Sequence, residues 1–216
     1  MNRRRLLQVL LIAGSLLLCG VAGGYPKPSA YRIAWELGFE HSMLKRIVVT
    51  PKGSKTAQAY WYVTYTVTNS GTQEEQFLPA FEMLTEDGKV IRSDNNLPAV
   101  VLEAIRIREK VKTLESVTEI AGSIRIGEDQ ARDGVAIWAE PDPRMGQFSV
   151  FVGGLSGEGV VLRDDQGQPV TREGQDGKKE PVVLHKTLQL DYHIPGDERY
   201  PGTDEVHFVG EQWVMR

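Results

Sequence analysis

The segment Ala59–Gln73, AYWYVTYTVTNSGTQ, alternates its side chains almost without a break. Residues two apart on an extended chain point to the same side. One register therefore carries Trp61, Val63, Tyr65 and Val67, and the other carries Tyr60, Tyr62, Thr64, Thr66 and Thr68. This period predicts an antiparallel strand with one face on a core and the other toward water. The Trp-Val-Tyr-Val register is the better core face, and Asn69-Ser70-Gly71 closes the strand with turn residues. Tyr60 and Tyr62 lie on the opposite register. They are either a candidate interaction surface, because tyrosine is enriched where proteins meet, or a pair packed beneath the helix or a loop.

The same period recurs along the chain. Tyr31, Ile33, Trp35, Leu37 and Phe39 predict a half-buried strand, and LKRIVVT a second one closed by Pro51-Lys52-Gly53. Asp87-Gly88, between two apolar runs, is a hairpin signal. From Pro98 to about Ser116 the period changes. Val100, Ala104, Ile107, Val111 and Leu114 recur at helical spacing, with Val101 and Ile105 alongside, which predicts one amphipathic helix over about 98–116. Its Arg106, Arg108, Lys110 and Lys112 alternate with Glu103, Glu109 and Glu115, as on a solvated face carrying both signs. Strands then resume in SIRIG, GVAIWAE and QFSVFVGGL. A hairpin follows at Asp165-Gln166-Gly167, then a polar loop TREGQDGKKEP. VVLHKTLQLDYHI comes next, with Leu188, Leu190, Tyr192 and Ile194 inward, and VHFVGEQWVM closes the chain. Roughly eight to ten short strands with one inserted helix predict a mainly β chain, an immunoglobulin-like antiparallel β-sandwich. The helix should pack across an edge or an end by its Val100/Ala104/Ile107/Val111/Leu114 stripe. The expected core includes Trp35, Trp61, Val63, Tyr65, Phe81, Ile137, Phe148, Val150, Leu188 and Leu190.

At 216 residues the chain has room for one large domain or two small ones, and the pattern assigns 31–216 to a single sandwich domain. Residues 1–24 read differently. Arg3-Arg4-Arg5 precede the uncharged run Leu6 to Leu18, and small residues follow in CGVAGG. That is the layout of a signal peptide, or of an N-terminal membrane anchor if it is retained. Residues 25–30 then form a short linker. Either way the domain is expected outside the cytoplasm: periplasmic, cell-surface or secreted. Cys19 is the only cysteine and belongs to the apolar run, so the rest of the chain draws no stability from a disulfide. The net charge is −4 over the whole chain, and more negative without Arg3–Arg5. An acidic balance argues against nucleic acid as a partner and leaves membrane contact to the N-terminal segment.

Four stretches, VTYTVTNSG, FEMLTEDGKVI, IGEDQARDGVAIW and FSVFVGGLS, together resemble the telokin-like, immunoglobulin-like domains of bacterial exported proteins and lipoproteins. The matching positions are Val67 and Asn69, Asp87 and Gly88, Gly127 and Glu128, and Gly134 to Trp138, within a span of about Tyr60 to Leu155. The resemblance implies a sandwich fold and export. It transfers no catalytic residue. The long helix after Pro98 and the chain past Gly159 depart from the minimal domain.

Motifs for covalent and cofactor chemistry are not met. Gly154-Leu155-Ser156-Gly157-Glu158 fails as a nucleophile elbow because glutamate stands where the last glycine belongs, and Gly153-Gly154 opens no dinucleotide fingerprint. The leading expectation is a non-enzymatic binding or structural module without a cofactor, whose partner is a protein or envelope component. The alternative uses a divalent metal. Asp191 and His193 in DYH, and Glu205 and His207 in EVH, are spaced to share strand faces. Two imidazoles and two carboxylates on neighbouring strands could hold such an ion and activate water.

Overall fold

The computed structural model describes residues 25–140, 146–174, 176–195 and 206–216. In chain order the elements are β1 (Gly38–His41), β2 (Lys45–Val49), β3 (Gln58–Thr68), β4 (Glu75–Phe77), β5 (Ala80–Thr85), β6 (Val90–Arg92), α1 (Ala99–Glu109), β7 (Glu115–Ser116), α2 (Val117–Ile120), β8 (Gly122–Ile124), β9 (Arg132–Ala139), β10 (Gln147–Gly153), β11 (Gly159–Val161), β12 (Thr171–Glu173), β13 (Lys179–Pro181), β14 (Val183–His193) and β15 (His207–Met215). The chain is mainly β. It divides into two compact units, the larger built from Lys27–Gly159 and His185–Arg216, the smaller containing Val160–Leu184. The span 31–216, read from sequence as one domain, thus passes through both. Among the described residues no helix is long and apolar enough to cross a membrane.

The larger unit is a sandwich of two sheets. In the first, β3 is central. β9 pairs along one edge, with Trp61 opposite Trp138 and Thr66 opposite Asp133. β1 and β2 share the other edge in succession, His41 opposite Tyr65 and Lys45 opposite Tyr62. The second sheet runs β6-β5-β10-β14, and β15 adds to β14. The register expected for β3 is the one observed. Trp61, Val63, Tyr65 and Val67 join Phe81, Met83, Phe148, Val150, Leu188 and Leu190 in one buried cluster. Each such side chain contributes about 1.5–3 kcal/mol by leaving water. Gly134 lies under the Tyr65 ring, and a Cβ there would overlap it. The glycine of GVAIW is therefore a space requirement of the aromatic opposite it.

The Tyr60 and Tyr62 half of the other face of β3 is buried as well. Tyr60, Tyr62, Val135 and Ile137 form a second cluster with Val101, Ile105 and Leu114. Helix α1 thus covers a sheet face rather than an edge or an end, and only part of the stripe the spacing suggested is used: Ala104, Val111 and Leu114 pack into this cluster. Val101 and Ile105 are buried, whereas Val100 faces outward and Ile107 is 76% exposed. The helix also ends at Glu109 rather than near Ser116. Lys110 turns left-handed at φ 59, and the chain folds back with Val111 N–H donating to Arg106 O.

Two further expectations need correction. The alternating stretch from Tyr31 forms no strand before β1. Tyr31 and Ile33 are exposed, Trp35 is half-buried, and the segment is held by Gly157 N–H donating to Trp35 O and Leu37 N–H to Leu155 O. In the smaller unit, TREGQDGKKEP is not an irregular loop. β12 and β13 pair, with Thr171 opposite Pro181 and Glu173 opposite Lys179. Asp176-Gly177, with Gly177 at φ 76, supplies the same turn signal as Asp87-Gly88.

Candidate functional site

The outer face of the first sheet changes character halfway down β3. Tyr60 and Tyr62, with Ile137 opposite Tyr62 and Val135 opposite Thr64 on β9, form the apolar part that seats α1. Below them the same register becomes Thr64 and Thr66. Glu40 of β1 lies opposite Thr66 on one side and Asp133 of β9 on the other. Because α1 stops at Glu109, it leaves the Thr66 row half-buried, beside Val111 and Leu114 of the chain that follows the helix. The result is an open cleft of about 300 Å³ lined by Glu40, His41, Thr64, Thr66, Glu109 and Asp133 among others.

Two acidic groups of the cleft, Asp133 and Glu109, are oriented by fixed donors. Thr66 Oγ1 donates to Asp133 Oδ1 at 2.7 Å. Glu109 accepts from the Tyr62 hydroxyl at 2.5 Å and from Lys45 Nζ at 2.7 Å. Burial alone would raise the Glu109 pKa, but the bonds from Lys45 and Tyr62 outweigh it and hold the carboxyl below its ordinary range. The Tyr62 hydroxyl is pushed up by burial and by its bond to Glu109, so it stays a donor. The carbonyl end of α1 adds partial negative charge to the same wall. At the rim, His41 Nδ1 lies 2.9 Å from Ser42 O, and Nε2 lies 3.5 Å from Glu211 Oε2.

Tyr60 and Tyr62, a candidate interaction surface from the sequence, are 2% and 0% exposed. Their rings are the seat of the helix and present no surface, and the Tyr60 hydroxyl donates to Gln58 Oε1 at 2.7 Å. Of the four residues singled out for metal, Glu205 lies outside the described residues. His193 and His207 are direct partners across β14 and β15. Asp191 lies opposite Gly210, and its Oδ1 accepts from Ser149 Oγ at 2.5 Å and Gln189 Nε2 at 2.7 Å. The register shifts between Asp191 and Tyr192, leaving Val209 as the extra residue of a bulge. Among the described residues, no three His, Cys, Asp or Glu side chains are grouped to hold a metal.

Sequence reasoning missed the cleft and also a buried charge cluster. Lys186 Nζ lies 2.6 Å from Glu36 Oε2 and 3.8 Å from Glu158 Oε2, and 4.7 Å from the centre of the Trp213 ring. Lys186 and Glu158 are each 6% exposed. A lysine inside an apolar strand was the available signal, since buried lysine requires a partner. The Tyr-to-Thr change along β3 was the corresponding signal for the cleft. No protein-family model, no curated protein and no solved structure matches the chain.

Proposed function

We propose that this chain is an exported, non-enzymatic binding module whose cleft at the end of α1 takes a cationic group presented by a protein or envelope component. Export rests on Arg3-Arg4-Arg5 and the uncharged run that follows them. The binding reading is carried by one observation: Glu40 and Asp133 flank Thr66 at the half-buried end of this sheet face, in a cleft that Glu109 of the helix also lines. The cleft sits at the small end of the range of about 300–1,000 Å³ for ligand sites, which suits one side chain or a small amine. Asp133 and Glu109 are already held by Thr66, Tyr62 and Lys45. Such acceptors are preorganised to receive a charged donor, and guanidinium geometry matches carboxylates in pairs. A depressed Glu109 stays ionised at neutral pH, which favours electrostatic recognition over proton exchange.

Calorimetry with a short arginine-containing peptide and its citrulline counterpart tests the reading, because citrulline keeps the shape and loses the charge. The arginine peptide should bind and the citrulline peptide should not. A Glu40→Gln/Asp133→Asn double variant should weaken binding by at least tenfold, about 1.4 kcal/mol, and added salt should weaken it further. Equal binding of the two peptides, or unchanged affinity in the double variant, would overturn it.

A further inference from the structure

We infer that His193 and His207 form a two-imidazole site for a divalent transition-metal ion on the outer face of the second sheet. The two residues, neither of which lines the cleft, are direct Cα partners in the antiparallel pairing of β14 with β15. Their faces follow from their neighbours. Tyr192 and Phe208 are also direct partners and their rings pack at 5.6 Å. Tyr192 is buried in the core, so the residues beside this ring pair, His193 and His207, take the opposite side. The bulge lies between this pair of rows and the rows toward Met215, so it does not separate the two histidines.

Directly opposed residues on antiparallel strands bring their Cβ atoms to about 4.5–5.5 Å. An ion bound at about 2.0–2.1 Å from each of two imidazole nitrogens fits that span. Imidazole suits zinc, copper and nickel, whereas calcium and magnesium prefer oxygen. The surroundings favour a dication. The Asp191 carboxylate lies two residues from His193 on the same face, fixed by Ser149 and Gln189. Opposite Asp191, Gly210 leaves open space, with no atom within 4 Å of where a Cβ would stand. The ion would thus have two protein ligands and room for water or an exogenous ligand in its remaining positions.

The test is calorimetric titration of the full chain with zinc chloride, beside His193→Gln, His207→Gln and, as a control on the same strand, His185→Gln. One ion should bind the wild type. Each of the first two variants should lose at least the roughly tenfold in affinity that removing even a supporting partner produces, and the control should match the wild type. Circular dichroism checks that each variant keeps its sheet content. Absence of zinc binding up to about 1 mM, where the binding free energy is only about −4 kcal/mol, would overturn the inference. So would retained wild-type affinity in either the His193 or the His207 variant.

Discussion

Asp94 shows how much one side chain can set the pH response of a fold. It follows β6 at φ 57, its N–H donates to Ile137 O at 2.8 Å, and its Oδ2 is buried without a partner. Burial, chiefly, raises its pKa to about 6; the bonds at Ser93 and Ile137 oppose the shift, and Glu119 adds to it. A carboxyl whose folded pKa lies above its unfolded value of about 3.9 binds its proton more tightly in the native state. The contribution of Asp94 to native stability is then fully present below about pH 4 and is lost as pH rises through about 6. The two-unit difference sets an upper bound of about 3 kcal/mol at one pKa unit per 1.4 kcal/mol. Asp94→Asn removes the charge and keeps a residue that tolerates the left-handed backbone. Urea unfolding should find the variant more stable than wild type by up to about 3 kcal/mol at pH 8, and close to it at pH 4. Parallel stability profiles for the two proteins between those pH values would show that Asp94 does not carry this dependence.

At the scale of the element, α1 has the clearest consequence for mutation. Its buried contacts come from Val101 and Ile105, while Ile107 is 76% exposed. Ile105→Ala should therefore cost about 2–5 kcal/mol, and Ile107→Ala should stay within about 0.5 kcal/mol. Thermal unfolding of the two variants decides the helix phase, and the reverse order would mean that the helix seats itself by the other stripe. The strands were legible where aromatic and β-branched residues kept a strict two-residue period, as in β3, β10 and β14. The phase of α1 was not legible, because Val100, Val101, Leu102, Ala104, Ile105 and Ile107 leave apolar residues on almost every side. Its end was hidden for a related reason: the left-handed residue that stops it is Lys110, where glycine would have announced the turn. The stretch from Tyr31 carries the alternation of a strand without finding a partner strand, since period two describes a chain conformation and pairing depends on what lies beside it. The outward face of His193 and His207 was suggested by the flanking Leu190, Tyr192 and Phe208, but their register was not legible, because alternation fixes a face and not a pairing. The cleft escaped notice because it exists only where a helix happens to stop above Thr64 and Thr66.

For the molecule as a whole, a few charges join segments of the larger unit that are far apart in the chain. Lys186 ties β14 to Glu36 and to Glu158, residues far from it and from each other in the chain, and Glu158 Oε1 accepts from Ser29 N–H at 2.7 Å. The N-terminal segment is thereby bound to the end of the sandwich by buried ions as well as by the main-chain bonds of Trp35 and Leu37. An intact buried pair adds little net stability, because desolvation offsets attraction; a broken one leaves a charge without compensation. Lys186→Met keeps the length of the side chain and removes the ammonium, so it should cost about 3–5 kcal/mol. Adding Glu158→Gln to that variant removes the stranded charge and should recover part of the loss, a coupling that a double-mutant cycle measures. The same variants should differ locally. The Arg32 side chain is 56% exposed, and tryptic cleavage there requires the segment to lift, so Lys186→Met should be cut faster than wild type under native conditions. A Lys186→Met protein with wild-type stability and wild-type cleavage at Arg32 would mean that the main-chain bonds alone hold the segment and that the ion cluster only fills the space between them.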